Sequence, residues 1–190
     1  ESEDLDYVAQ DIVDQSLSGI AVTLRTSTEK VDIASKLLGR SSAYAILGAA
    51  AMAISLGVST SQIQERVASF EPVSGRMALI QNSNVGKIID DSYNANPASM
   101  REAIRTLDHL DCDDTKVLVI GDMLELGQRS HASHIAIAHQ IAATEIEHVY
   151  TIGIEAEVIK SELENSRSWH GQVFHAGKHE DLLDQLTTDL

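Results

Sequence analysis

Apolar positions change their rhythm along this chain, and the rhythm divides it. Short β-branched runs at Ser18–Thr23 and Val31–Ile33 predict strands in a mixed opening segment. From Ala43 to Leu56 the residues are apolar nearly all round, which predicts a buried helix, with Ser41 and Ser42 as caps and Gly57 as the stop. Ser59 and Gln62 have capping-box spacing, and Ile63, Val67 and Phe70 then fall on one face of a second helix. Glu71-Pro72-Val73-Ser74-Gly75-Arg76 interrupts both patterns and predicts a hinge over 71–76.

Beyond the hinge the pattern alternates between periods. Met77–Gln81 and Lys87–Asp90 predict a hairpin around Asn82–Gly86. Asn96 is a candidate cap, and Pro97 suits a first helical position because its missing N–H would have no partner there. Met100, Ala103, Ile104, Leu107 and Leu110 make one helical stripe. Lys116–Ile120 is a continuous apolar strand of the kind covered on both faces. A helix follows over 131–143 with Ile135, Ala138, Ile141 and Ala142 inward. Then come a strand at His148–Ile152, a helix at Glu155–Glu164, a strand at Gln172–His175, and a last helix containing Asp181–Leu186. Strands and helices alternating at this spacing predict an α/β domain with a mostly parallel, doubly wound sheet.

Composition narrows the function classes. The chain has 190 residues with 43% hydrophobic content, enough for a real core, and no apolar run of membrane-spanning length. The formal net charge is -15, without the Lys/Arg cluster that a nucleic-acid surface needs. The acidic opening, Glu-Ser-Glu-Asp, is the opposite of a basic leader. The single cysteine, Cys112, permits no intrachain disulfide, which fits a reducing compartment and predicts a cytoplasmic protein. Asp111, Asp113 and Asp114 around it disfavour a thiolate nucleophile. Ser27-Thr28-Glu29-Lys30 has S-x-x-K spacing, but no K-T-G follows it. His131 and His134 share a helical face, yet two ligands without a third seldom make a zinc site.

The most informative run is Ile88-Ile89-Asp90-Asp91-Ser92-Tyr93-Asn94-Ala95-Asn96-Pro97-Ala98-Ser99-Met100. A strand ends in paired carboxylates, and a polar loop leads into a helix, a common setting for polar ligands in open α/β sheets. This run resembles the DDSYNANP segment of Mur ligases, especially the type that adds D-alanyl-D-alanine to UDP-N-acetylmuramoyl-tripeptide. Val119-Ile120-Gly121-Asp122-Met123-Leu124-Glu125-Leu126-Gly127 resembles the same family's next landmark.

The resemblance implies an ATP- and magnesium-dependent ligase that activates a carboxylate as an acyl phosphate. Residues 1–70 would be the end of a central ATP-binding domain. Residues 77–190 would be most of a Rossmann-like C-terminal domain, its last strand lying beyond Leu190. It further implies that Arg76 contacts the nucleotide phosphate and Asp91 the ribose, while Tyr93, Asn94 and Asn96 contact nucleotide or incoming dipeptide. A guanidinium fork suits phosphate, and a carboxylate suits sugar hydroxyls. Asn96 is equally a helix cap, and one of Asp90 and Asp91 is expected to be structural. Asp122 and Glu125 read as helix-capping carboxylates, and His134 as a surface or core-edge histidine, although it matches a histidine common in the family. No catalytic side chain and no metal site is assigned.

Two departures stand against the match. No G-x-x-x-x-G-K-[ST] phosphate cradle occurs, so the chain alone cannot be a complete ATP-dependent ligase and is expected to be inactive in isolation. Ser41, Ser42, Ala43, Tyr44 and Ala45 stand where the family usually reads His-Asn-Val-x-Asn, which bears on adenine recognition. Two alternatives remain: a Mur-like ligase for another amino-acid polymer, of cyanophycin or polyglutamate type, or a noncatalytic binding module on the same scaffold.

Overall fold

The structure is a computed structural model that describes residues 5–82 and 86–189. The chain forms two compact units: 1–81 with 87–91, and 82–86 with 92–190. Each has its own hydrophobic core.

The first unit opens with an antiparallel sheet of β1 (Tyr7–Asp14), β2 (Ile20–Thr26) and β3 (Lys30–Ser35), in that order. Period-two alternation decides its faces. Ile20, Val22 and Leu24 on β2 and Val31 and Ile33 on β3 are buried, while the residues between them reach solvent. Against that face pack α1 (Ser42–Ser55), through Ala43, Ile46 and Ala50, and α2 (Thr60–Ala68), through Ile63. Burying each larger side chain is worth roughly 1.5–3 kcal/mol. Strand β1 escaped the sequence reading. Its register shifts between Gln10 and Val13, where Asp11 takes a φ of 50°, and the bulge breaks the alternation.

Three further expectations need correction. Helix α1 is buried on one side only: Tyr44 is 80% exposed and Met52 68%, and Leu56 just past its end is exposed too. Ser41 makes no side-chain cap, and the Ser42 hydroxyl donates instead to Leu38 O. Phe70 lies beyond the end of α2 and is exposed. The Ser59–Gln62 capping box does form. Strands β4 (Ala78–Asn82) and β5 (Gly86–Asp90) pair as the expected hairpin, whose turn residues 83–85 lie outside the described residues.

The second unit is the α/β layer. Strands β6 (Val117–Gly121), β7 (His148–Ile152) and β8 (Gln172–Ala176) run parallel in that order. One sheet face carries Leu118, Ile120 and Val149 into a core with Met100 and Ile104 of α3 (Pro97–Asp108), Ile137 and Ile141 of α4 (Ser130–Ile141), and Ile159 and Leu163 of α5 (Glu157–Glu164). The opposite face carries Tyr150 and Ala176 against Leu182 of α6 (His179–Asp189). Helices on both faces are what the apolar strand β6 demanded, although Val119 stays 48% exposed. On α4 the inward face includes His134 and Ile137, and Ile135 is only half-buried, so the buried stripe differs from the expected one.

Candidate functional site

Strand β5 brings two adjacent carboxylates to the segment Ser74–Met77. Successive strand residues point to opposite sides, and here both sides are used. Asp90 Oδ2 accepts from Gly75 N at 2.9 Å and from the Ser74 hydroxyl at 3.4 Å. Asp91 Oδ1 accepts from Met77 N at 3.1 Å. Arg76 sits between the two anchored amides, and its own N–H closes a turn onto Val73 O at 3.0 Å. Gly75 has a φ of 75° and Met77 a φ of 54°. Glycine accommodates that conformation freely, whereas methionine needs outside support, and the Asp91 carboxylate supplies it. Both aspartates therefore hold backbone amides.

Arg76 is exposed and Asp91 half-buried. Burial pushes the Asp91 carboxyl above the usual carboxylate range. The Met77 N–H and the Arg76 guanidinium pull the other way, and the neighbouring Asp90 adds to the rise. A carboxylate held beside a guanidinium can accept from hydroxyls while the guanidinium takes phosphate oxygens.

Tyr93, Asn94 and Asn96 belong to the second unit and lead into α3. The Asn96 carboxamide oxygen accepts from Ala98 N at 2.9 Å and Ser99 N at 3.1 Å, and Ser99 Oγ accepts from Asn96 N at 3.1 Å. Asn96 is thus the helix cap, in a reciprocal box. Asn94 Oδ1 accepts from Ala95 N at 2.9 Å, and Tyr93 is 69% exposed.

The carboxyl ends of β6 and β7 carry a second constellation. Asp122, just beyond β6, accepts from Ala156 N at 2.8 Å and Ile154 N at 3.1 Å, so it ties down the loop that leads into α5, which itself has no side-chain cap. His134 is fully buried, not at the surface or core edge. Its Nε2 accepts from Met123 N at 3.0 Å, and its Nδ1 lies 2.8 Å from Ser130 O. An amide can only donate, so Nε2 carries the lone pair and Nδ1 the proton. The sequence signal for this bond was faint: a histidine one turn into a helix that follows an apolar strand. Among the described residues, no group of three or more His, Cys, Asp or Glu could hold a metal ion. No helix of the described residues is long and apolar enough to cross a membrane.

An open parallel sheet covered by helices, with polar loops at the carboxyl ends of its strands, defines an α/β ligand-binding domain of the doubly wound class. Residues 75–190 match the family described as Mur ligase, glutamate ligase domain. The chain belongs to the Mur ligase family. It is 36% identical over 143 residues to the UDP-N-acetylmuramoyl-tripeptide–D-alanyl-D-alanine ligase of Escherichia coli, covering 75% of this chain and 31% of that protein. It is 30% identical over 182 residues to the Bacillus subtilis ligase of the same name, covering 95% of this chain and 39% of the relative. Among solved structures, MurF from Acinetobacter baumannii superposes with a TM-score of 0.83 at 27% identity, over 98% of this chain and 39% of that one. The chain thus spans under two fifths of the length of these relatives.

Proposed function

We propose that this chain is part of an ATP-dependent ligase that joins D-alanyl-D-alanine to UDP-N-acetylmuramoyl-tripeptide, a step of peptidoglycan precursor synthesis in the cytoplasm. The observation that carries the reading is a backbone clamp: paired carboxylates at the end of β5 hold the amides on either side of Arg76, in a chain 36% identical to a ligase of that name. In this reading residues 1–70 belong to the central ATP-binding domain and 77–190 to the C-terminal domain, with the hinge at 71–76.

The tripeptide carboxylate takes the terminal phosphoryl group of ATP, releasing ADP. The dipeptide amine then attacks the acyl carbon, forms the amide, loses a proton and expels phosphate. No side-chain nucleophile is required, so this chain's residues position and stabilise. Arg76 takes phosphate oxygens, and Asp91 accepts from the ribose hydroxyls. Tyr93 and Asn94 stand in a loop open to substrate, and Asn96 fixes the start of that loop's helix. Magnesium is assigned to carboxylates outside the described residues, and closure over ATP shields the acyl phosphate from water.

The test is ADP release by the full-length protein, with dependence on both peptide substrates. Arg76→Ala removes a charge-assisted contact worth about 1.5–3 kcal/mol, so catalytic efficiency should fall roughly ten- to a hundredfold. Asp91→Asn keeps an oxygen for Met77 N and should lose less. Unchanged kinetics in both variants would remove the nucleotide role. A second reading, a noncatalytic module, is favoured by Ser41, Ser42 and Ala45 in place of the family's His-Asn pattern. A full-length protein that binds ATP without turnover would support it.

A further inference from the structure

Asp90 enters no step of the reaction above, yet it grips the backbone directly before the residue that takes phosphate. Its Oδ2 accepts from Gly75 N at 2.9 Å and from the Ser74 hydroxyl at 3.4 Å. Gly75 is buried, so water cannot readily replace that carboxylate on its N–H. Gly75 is also the freest backbone position of the segment, with a φ of 75° that a glycine leaves as easily as it enters. Arg76 is exposed and carries its charge on a long, flexible stem. A guanidinium on such a stem is aimed only when the backbone beneath it is held.

The neighbouring amides narrow the chemistry. Gly75 N donates to Asp90, Arg76 N to Val73 O at 3.0 Å, and Met77 N to Asp91 at 3.1 Å. Three successive N–H groups thus have partners, so the turn offers an anion no row of open amides. A phosphate here must be taken by the guanidinium. All of these residues lie in the first compact unit. Asp90 also brings a second negative charge to a place meant for phosphate, and that charge repels the ligand. Its bond to Gly75 works in the opposite direction, by sparing Arg76 the entropy of being ordered on binding.

We infer that Asp90 is a positioning residue for the nucleotide: it makes no contact with ATP but fixes the Gly75 backbone, so that Arg76 meets the phosphates already aimed. The inference rests on the ligase reading above and adds how its phosphate contact is set. Repulsion and positioning have opposite signs, so two substitutions separate them. Asp90→Ala removes the charge and the acceptor together. Asp90→Asn removes the charge but keeps an oxygen for Gly75 N.

The experiment is steady-state ligation by the full-length protein, with ATP and D-alanyl-D-alanine varied separately. Asp90→Ala should raise the KM for ATP about three- to tenfold, with the KM for the dipeptide unchanged. Asp90→Asn should return the KM for ATP to the wild-type value or below it. In an Arg76→Ala background, Asp90→Ala should raise the KM for ATP no further, because it acts through that guanidinium. Should Asp90→Ala fail to fold, Asp90→Glu replaces it in the same cycle, since it keeps the charge but displaces the oxygens by a methylene. A rise that persists without Arg76, an asparagine variant no better than alanine, or an alanine variant with a wild-type KM for ATP overturns the inference alone. Arg76→Ala with an unchanged KM for ATP overturns the nucleotide role, and the inference falls with it.

Discussion

Gly153 offers the sharpest test of how the α/β unit holds its loops. It follows β7 with a φ of 114°, and a Cβ built there would lie 2.3–2.5 Å from the Asp122 carboxylate atoms. Gly153→Ala must therefore push that carboxylate off the amides of Ile154 and Ala156. Losing these charge-assisted hydrogen bonds costs about 1.5–3 kcal/mol. Holding alanine in glycine's conformation adds about 1–2 kcal/mol. The expected destabilisation is thus roughly 2.5–5 kcal/mol for Gly153→Ala and about 1.5–3 kcal/mol for Asp122→Ala. The two substitutions remove the same bonds, so the double variant should resemble Gly153→Ala alone. The coupling between them should be about 1.5–3 kcal/mol. Trp169, the chain's only tryptophan, is buried in the same core and donates from its indole N–H to Ile146 O at 2.8 Å. Its fluorescence in urea reports this unit's unfolding directly. Additive losses, or a Gly153→Ala variant as stable as wild type, would refute the clamp.

Three further outcomes follow from the geometry. The Tyr150 phenol donates to Asp189 at 2.7 Å, and burial first, then that carboxylate, pushes its pKa up to about 12. The folded state holds the proton more tightly than an unfolded phenol near 10, so this contribution is intact below about pH 10 and is lost as pH rises towards 12. Ultraviolet titration with Tyr150→Phe as reference should show the late-ionising tyrosine disappear. Asn96→Ala should destabilise the second unit by about 1 kcal/mol through loss of the α3 cap, read by the same Trp169 unfolding curve. Ile137→Ala, at a side chain with no exposure, should cost about 2–5 kcal/mol in that assay.

The α/β unit was legible because its signals are local and redundant. The β6 run, the Asn96-Pro97 start and the α3 stripe each specify one element without help from the rest of the chain. The first unit was harder to read. Strand β1 hides behind its bulge, and the exposed side of α1 could not be inferred from a helix apolar all round. At the end of β5, sequence spacing put Asp90 and Asp91 on opposite sides, but did not reveal that both would hold backbone amides. His134 shows the same limit: its bond to Met123 N joins α4 to a turn eleven residues earlier, and periodicity does not encode such a pairing.

From Ser41 to Gln64 the chain carries no charged residue, and α1 within it turns Tyr44 and Met52 outward, with exposed Leu56 just past its end. The chain's net charge of -15 keeps copies of it apart in dilute buffer. That repulsion reaches about 30 Å at 0.01 M salt but only about 3 Å at 1 M, whereas attraction between oily patches persists. Strong brine should therefore favour contact between copies through the uncharged α1 face, whereas weak buffer should keep them dispersed.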